Sequence, residues 1–192
     1  NLNREISMTY SEEYKDQKIK ERAHWAFDDM VTWASKWNTY PEWVKTTKAR
    51  LYYMAIHDSP KIESGLISST AWKSPKKDEK GKSPITKDHF TIPQFGGYMM
   101  LDNWDGFIRN DEERFHKMFI FHCFTIKLTK DENTALKKYS VGNNQISCTF
   151  VERYKKENIE LRVDYVGKKI TLNKALGFIP TWHTDMEKQY IV

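Results

Sequence analysis

The feature that most restricts the fold is an apolar stripe at helical spacing. Ile19, Ala23, Phe27, Met30, Ala34 and Trp37 recur every three or four residues within residues 9–38. A helix with such a stripe has to bury it against another element. Thr9 and Glu12 have capping-box spacing at its start, and Pro41 both ends it and suits the first turn of a second helix over residues 41–56. In the second helix Val44, Thr47, Leu51 and Met54 or Ala55 lie along one side. The expected outcome is an N-terminal helical hairpin that serves as a packing platform.

Downstream the period changes. Leu66, Ile67, Thr70 and Trp72 favour a strand over residues 65–72, and residues 73–84 form a Lys-rich, Pro-flanked loop. A short strand over residues 85–90 precedes a loop with Pro93, Gly96 and Gly97, then Tyr98 to Leu101, then a helical stretch from Asp102. Ile146 to Tyr154 and Glu160 to Val166 read as two strands of a hairpin turning at Lys155–Asn158. Residues 168–192 add a short strand and a helix. This divides the chain into 1–62, 63–125 and 126–192, an α+β organisation with a strand-rich C-terminal extension.

Hydrophobic residues make up 39% of the 192, but aromatics reach 14%, with seven Trp, enough to fill a core. Cys123 and Cys148 cannot make a disulfide framework or a Cys-rich zinc site, so no structural zinc is expected and a reducing, intracellular setting is. The apolar run Met118 to Ile126 is far too short for a bilayer, and the first twenty residues hold no signal-peptide core, so no membrane partner is expected. The net charge of +5 is unevenly placed. Residues 88–125 carry three basic and six acidic side chains, between residues 63–87 with six and three and residues 126–192 with twelve and eight.

The segment richest in chemistry is Lys87 to Asn103. Asp88-His89 ends a short strand, Pro93 and Gly96-Gly97 follow, and Asp102-Asn103 opens a helix fourteen residues after the histidine. A neutral imidazole takes a proton from an attacking water at neutral pH. A carboxylate holds Mg²⁺, which keeps most of its waters and needs only one or two protein ligands. In a continuous helix Asn103 and Asn110 are two turns apart and share a face.

Over residues 65–125 this pattern resembles the ββα-metal, or His-Me finger, nuclease motif of HNH endonucleases and endonuclease VII. The resemblance implies a central ββα-metal motif and a DNA endonuclease hydrolysing phosphodiester bonds with one Mg²⁺ (or Mn²⁺). It implies His89 as general base, Asp88 as metal ligand, Asn103 as the orienting residue and Asn110 as second ligand, with Asp111 as substitute. The small size and added flanking elements are similar to freestanding homing or restriction-type nucleases of phages, which act on double-stranded DNA in the cytoplasm of a host cell. The chain departs from many relatives in lacking Cys-x-x-Cys knuckles and in carrying Asp111 and Glu112 where a ligating histidine would stand.

Plainer readings stand beside these. Asn110 followed by Glu113 also fits a helix N-cap. His116 and His122 on the aromatic helix Phe115–Phe124 suit packing or surface roles, and His24, His57 and His183 are most simply structural. For DNA contact the candidates are Lys73, Lys76, Lys77, Lys80, Lys82 and Lys87 around the loop, and Lys155, Lys156, Lys168 and Lys169 near the C-terminal hairpin. An edge hairpin kept soluble by lysines explains the latter equally well. The alternative function is a non-catalytic nucleic-acid-binding protein with a basic and aromatic surface.

Overall fold

Helix α1 (Gln17–Ala34) and helix α2 (Glu42–Asp58) form the N-terminal helical region. A computed structural model describes residues 17–77, 79–90, 93–142, 144–175, 177, 179 and 181–192, so the Thr9–Glu12 capping box lies outside the described residues. There follow β1 (Ile62–Ser68), α3 (Ser69–Lys73), β2 (Ile85–His89), α4 (Pro93–Asp102), a π-helical turn (Trp104–Ile108), α5 (Glu112–Cys123) and β3 (Phe124–Thr129). The remainder is α6 (Lys130–Lys137), β4 (Ser140–Val141), β5 (Gln145–Ile146), α7 (Phe150–Lys156), β6 (Leu161–Val163), β7 (Lys169–Ile170), α8 (Leu172–Ala175) and α9 (Thr181–Glu187). The protein is therefore of mixed α and β structure.

Contacts divide the chain into two units that interleave in sequence. A helical unit takes Thr9–Ile62 with Thr91–Phe124, and a sheet unit takes Glu63–Phe90 with Thr125–Val192. In the helical unit, Ile19, Ala23, Phe27 and Met30 of α1 are buried, as are Phe115, Met118 and Phe119 of α5. Phe27 meets Phe115 at 5.4 Å and Trp104 at 5.9 Å between ring centroids.

The buried side of α2 is Ala49, Tyr52 and Ile56, whereas Leu51 and Met54 are exposed. This corrects the face read from Val44, Thr47, Leu51 and Met54 or Ala55, of which only Val44 and Ala55 are half-buried. Two stripes of equal periodicity competed, and the one with the large ring of Tyr52 found partners in Phe115, Phe119 and His122.

Gly96 and Gly97 are not in a loop but inside α4. A Cβ on Gly96 would lie 2.7 Å from Cε1 of His122, and one on Gly97 would lie 3.1 Å from the Ala49 backbone. The glycine pair lets α4 pack closely on α2 and α5, which overrides its poor helix propensity. The expected continuous helix from Asp102 is also interrupted. Arg109 and Asn110 have φ of 53° and 57°, left-handed values that end the π-helical turn, and α5 begins afresh at Glu112.

The sheet unit carries a five-stranded sheet in the order β2-β3-β1-β6-β7. β2 pairs antiparallel with β3 from Ile85↔Thr129 to His89↔Thr125, and β1 pairs antiparallel with β6. The strand expected over 65–72 ends at Ser68, whose hydroxyl accepts from the Ala71 N–H and starts α3.

The C-terminal hairpin expected from Ile146–Tyr154 and Glu160–Val166 is replaced by helix α7 and the short strand β6. Thr149 and Glu152 form a reciprocal capping box at the start of α7, a local signal that outweighs the β propensity of Ile146, Phe150 and Val151. The C-terminal region is thus a mixture of helices and short strands, not strand-rich.

Candidate functional site

Asp88 and His89 end β2 in full ladder register, opposite Ile126 and Thr125. Adjacent residues of a regular strand send their Cβ atoms to opposite faces, so the bend needed for the two side chains to converge is missing up to His89. Asp88 is taken up by α7. Its Oδ2 accepts from Nη2 of Arg153 at 3.1 Å and from the hydroxyl of Tyr154 at 3.2 Å. The same Arg153 Nη2 donates to the carbonyls of His89 and Phe90 at 3.1 and 3.3 Å, tying the end of β2 to α7.

Arg153 is only 4% exposed and its guanidinium carbon stands 4.2 Å from the centroid of the Phe150 ring. Burial pushes the Asp88 carboxyl above its ordinary value, against the opposing pull of Arg153 and the Tyr154 hydroxyl. A dication at Oδ2 would have to displace a guanidinium 3.1 Å away. As placed, Asp88 is a partner of Arg153 and Tyr154 through Oδ2. The His89 side chain is half-buried.

The remaining candidates for the nuclease site belong to the helical unit. Asn103 donates from Nδ2 to the Met99 carbonyl at 2.9 Å. Asn110 adopts the left-handed conformation and accepts from Nε1 of Trp104 at 2.7 Å. The N-cap of α5 is Asp111, whose Oδ1 accepts from the Arg114 N–H at 3.0 Å, so the capping role read for Asn110 falls one residue later. Asn103 and Asn110 do not share one face of a continuous helix, because the π-helical turn and the left-handed pair separate them. Among the described residues no group of three or more His, Cys, Asp or Glu is placed to hold a metal ion, whereas Mg²⁺ needs only one or two protein ligands.

The histidines set aside as structural or packing residues are placed as follows. His122 is buried and shares a 2.7 Å hydrogen bond between Nδ1 and the Tyr52 hydroxyl. His183 is buried in the sheet unit, with Nδ1 3.5 Å from Oε1 of the equally buried Glu187. Desolvation lowers His183 to about 3 and raises Glu187 to about 8, so both are neutral at pH 7. His24 is exposed and meets Glu112 at 2.8 Å. Cys123 and Cys148 are buried free thiols.

Among the lysines, Lys87 is engaged by Glu63 at 2.5 Å and Lys169 by Glu160 at 2.8 Å. Lys87 stands directly opposite Lys127 in the ladder, and Glu63 relieves the repulsion by holding both. Lys156 lies over the Tyr139 ring at 5.7 Å. Lys73, Lys76, Lys77, Lys80, Lys82, Lys155 and Lys168 have exposed side chains.

The sequence reading missed what accompanies them. Trp72 is 41% exposed, Tyr165 66% and Val166 56%, beside Lys73 and Lys168 in sequence. In sequence Trp72 falls in a strand-like run, and an aromatic in a strand predicts burial, so the signal points the wrong way. Arg153, the residue that occupies Asp88, was also missed, since nothing in sequence ties positions 65 residues apart.

No family model, no curated protein and no solved structure matches the chain. Among the described residues no helix is long and apolar enough to cross a membrane.

Proposed function

We propose that this protein binds nucleic acid through the lysine-rich, aromatic face of its sheet unit. The observation that carries the reading is the juxtaposition of Trp72 with the turn that holds Tyr165 and Val166, flanked by Lys73, Lys76, Lys77 and Lys168. Exposed rings among cations suit a polyanion that also offers flat aromatic faces. A cluster of large apolar side chains on a surface otherwise rich in charge marks an interaction site.

The test is fluorescence anisotropy with labelled oligonucleotides at about 50 and 200 mM salt. Binding is expected to weaken steeply with salt. Reversal of Lys73, Lys76 and Lys77 to Glu should cost at least about ten-fold at the lower salt and flatten the salt dependence. Retention of affinity by the triple variant would remove this face from the interaction.

A second reading is Mg²⁺-dependent hydrolysis of double-stranded DNA with His89 as general base, supported by the position of Asp88-His89 at the end of β2. It requires Asp88 to exchange Arg153 and Tyr154 for a metal. Nicking of supercoiled plasmid with Mg²⁺ or Mn²⁺ that disappears in His89→Ala would establish it. The absence of cutting with any divalent metal would leave binding as the activity.

A further inference from the structure

Two clefts of the sheet unit, of about 540 and 570 Å³, share Asn158 and Glu160 and so adjoin. Lys155 and Lys169 line the first, and Lys73 lines the second. Glu160 does not make the groove acidic, because its carboxylate is held by Lys169 at 2.8 Å and accepts from the Ser69 hydroxyl at 3.3 Å. The result is a basic track whose polar neighbour Asn158 can donate hydrogen bonds.

Beside this track stands an aromatic platform. Trp72 shares the short helix α3 with Lys73, and its ring rests on the backbone of Gly167 in the β6–β7 turn. Gly167 has φ +64°, and any Cβ there would lie 2.4 Å from the indole, so this position combines a left-handed turn with a close approach. The indole is braced on one side and open to solvent on another, which lowers the ordering cost of a ligand stacking on it. The same turn carries the exposed Tyr165.

A basic groove alongside stacking rings is the arrangement that suits unpaired bases. In a duplex the base faces are already stacked on each other and unavailable to an indole or a phenol. Resting on the nucleic-acid reading above, we infer that the sheet unit takes a single strand. The phosphates follow Lys73 and Lys155 along the clefts, and bases stack on Trp72 and on Tyr165 in the turn that also carries Lys168.

The test uses the full chain with a labelled oligothymidylate, an oligouridylate and a duplex of equal length, by anisotropy at low salt. One or both single strands should bind at least about ten-fold more tightly than the duplex. Tyr165→Ala and Trp72→Ala should each weaken single-strand binding by about five- to fifty-fold and leave duplex binding unchanged, while Trp72→Phe should keep most of the affinity. Tyr165 is solvent-exposed, so its truncation reads out stacking even if Trp72→Ala disturbs the turn. Equal or tighter duplex binding, or unchanged single-strand affinity in Tyr165→Ala, overturns the single-strand inference and leaves nucleic-acid binding standing. No binding to any of the three overturns both.

Discussion

The two units solve the problem of a polar-rich sequence in opposite ways. Among the described residues, the helical unit buries only Ser59 and His122 as polar side chains, around a core of Phe, Tyr, Trp and Met. The sheet unit buries Ser64, Ser68, Thr125, Thr149, Arg153, His183 and Glu187. Its interior is specified by hydrogen bonds and charge: Glu132 accepts from the Ser68 hydroxyl at 2.6 Å as well as capping α6, and Arg153 joins Asp88 to two backbone carbonyls. The helical unit is specified by ring packing and by the close approach at Gly96 and Gly97. An apolar core loses stability in small steps when atoms are removed, whereas a buried charge network loses much when one partner goes.

The largest expected effect follows from that difference. Arg153→Met strands the buried Asp88 carboxylate and should cost about 3–5 kcal/mol in urea denaturation. Adding Asp88→Asn should recover part of the loss. A cost below about 1 kcal/mol would mean that the pair does not hold the interior, and would return Asp88 to the list of available ligands.

Next comes pH. Glu187 has its folded value raised to about 8 from the ordinary 4.5, so the unfolded chain releases this proton first. Its contribution is complete below about pH 4.5 and is lost as pH rises to about 8. Thermal melts of wild type and Glu187→Gln should diverge across this window, with the wild type losing stability relative to the variant as pH rises; parallel profiles would show that the carboxyl is solvated.

The smallest effect belongs to the helical unit. Gly96→Ala should cost about 1–3 kcal/mol by overpacking against His122, and far less in a His122→Ala background, where alanine's better helix propensity emerges. A stabilising Gly96→Ala in the wild-type background would show that the ring gives way freely.

Much of the N-terminal helical region was legible, because α1 carries a single apolar stripe and Pro41 marks the start of α2. The face of α2 was not, since two stripes of equal period competed and only contact with α5 chose between them. β2 was legible as a strand, yet the segment after it was misread. Gly96-Gly97 looks the same in sequence whether it serves a loop or a tight helix crossing.

The candidate site divided along the same line. Asp88-His89 is visible as a pair in sequence, but whether the carboxylate is free depends on Arg153, 65 residues away. Likewise, Trp72 and Tyr165 are ordinary aromatics in sequence until the fold leaves both exposed and sets Trp72 against Gly167.

By itself the sequence determined the local choices: the apolar stripe of α1, the start of α2 at Pro41, and that two cysteines leave the core to aromatic packing. Tertiary structure alone decided which helix face is buried, that Asp88 pairs with Arg153, and that Trp72 lies on Gly167. The physical reason is range. Capping, periodicity and proline act within a few residues, whereas desolvation and steric approach depend on neighbours that only the completed fold brings near.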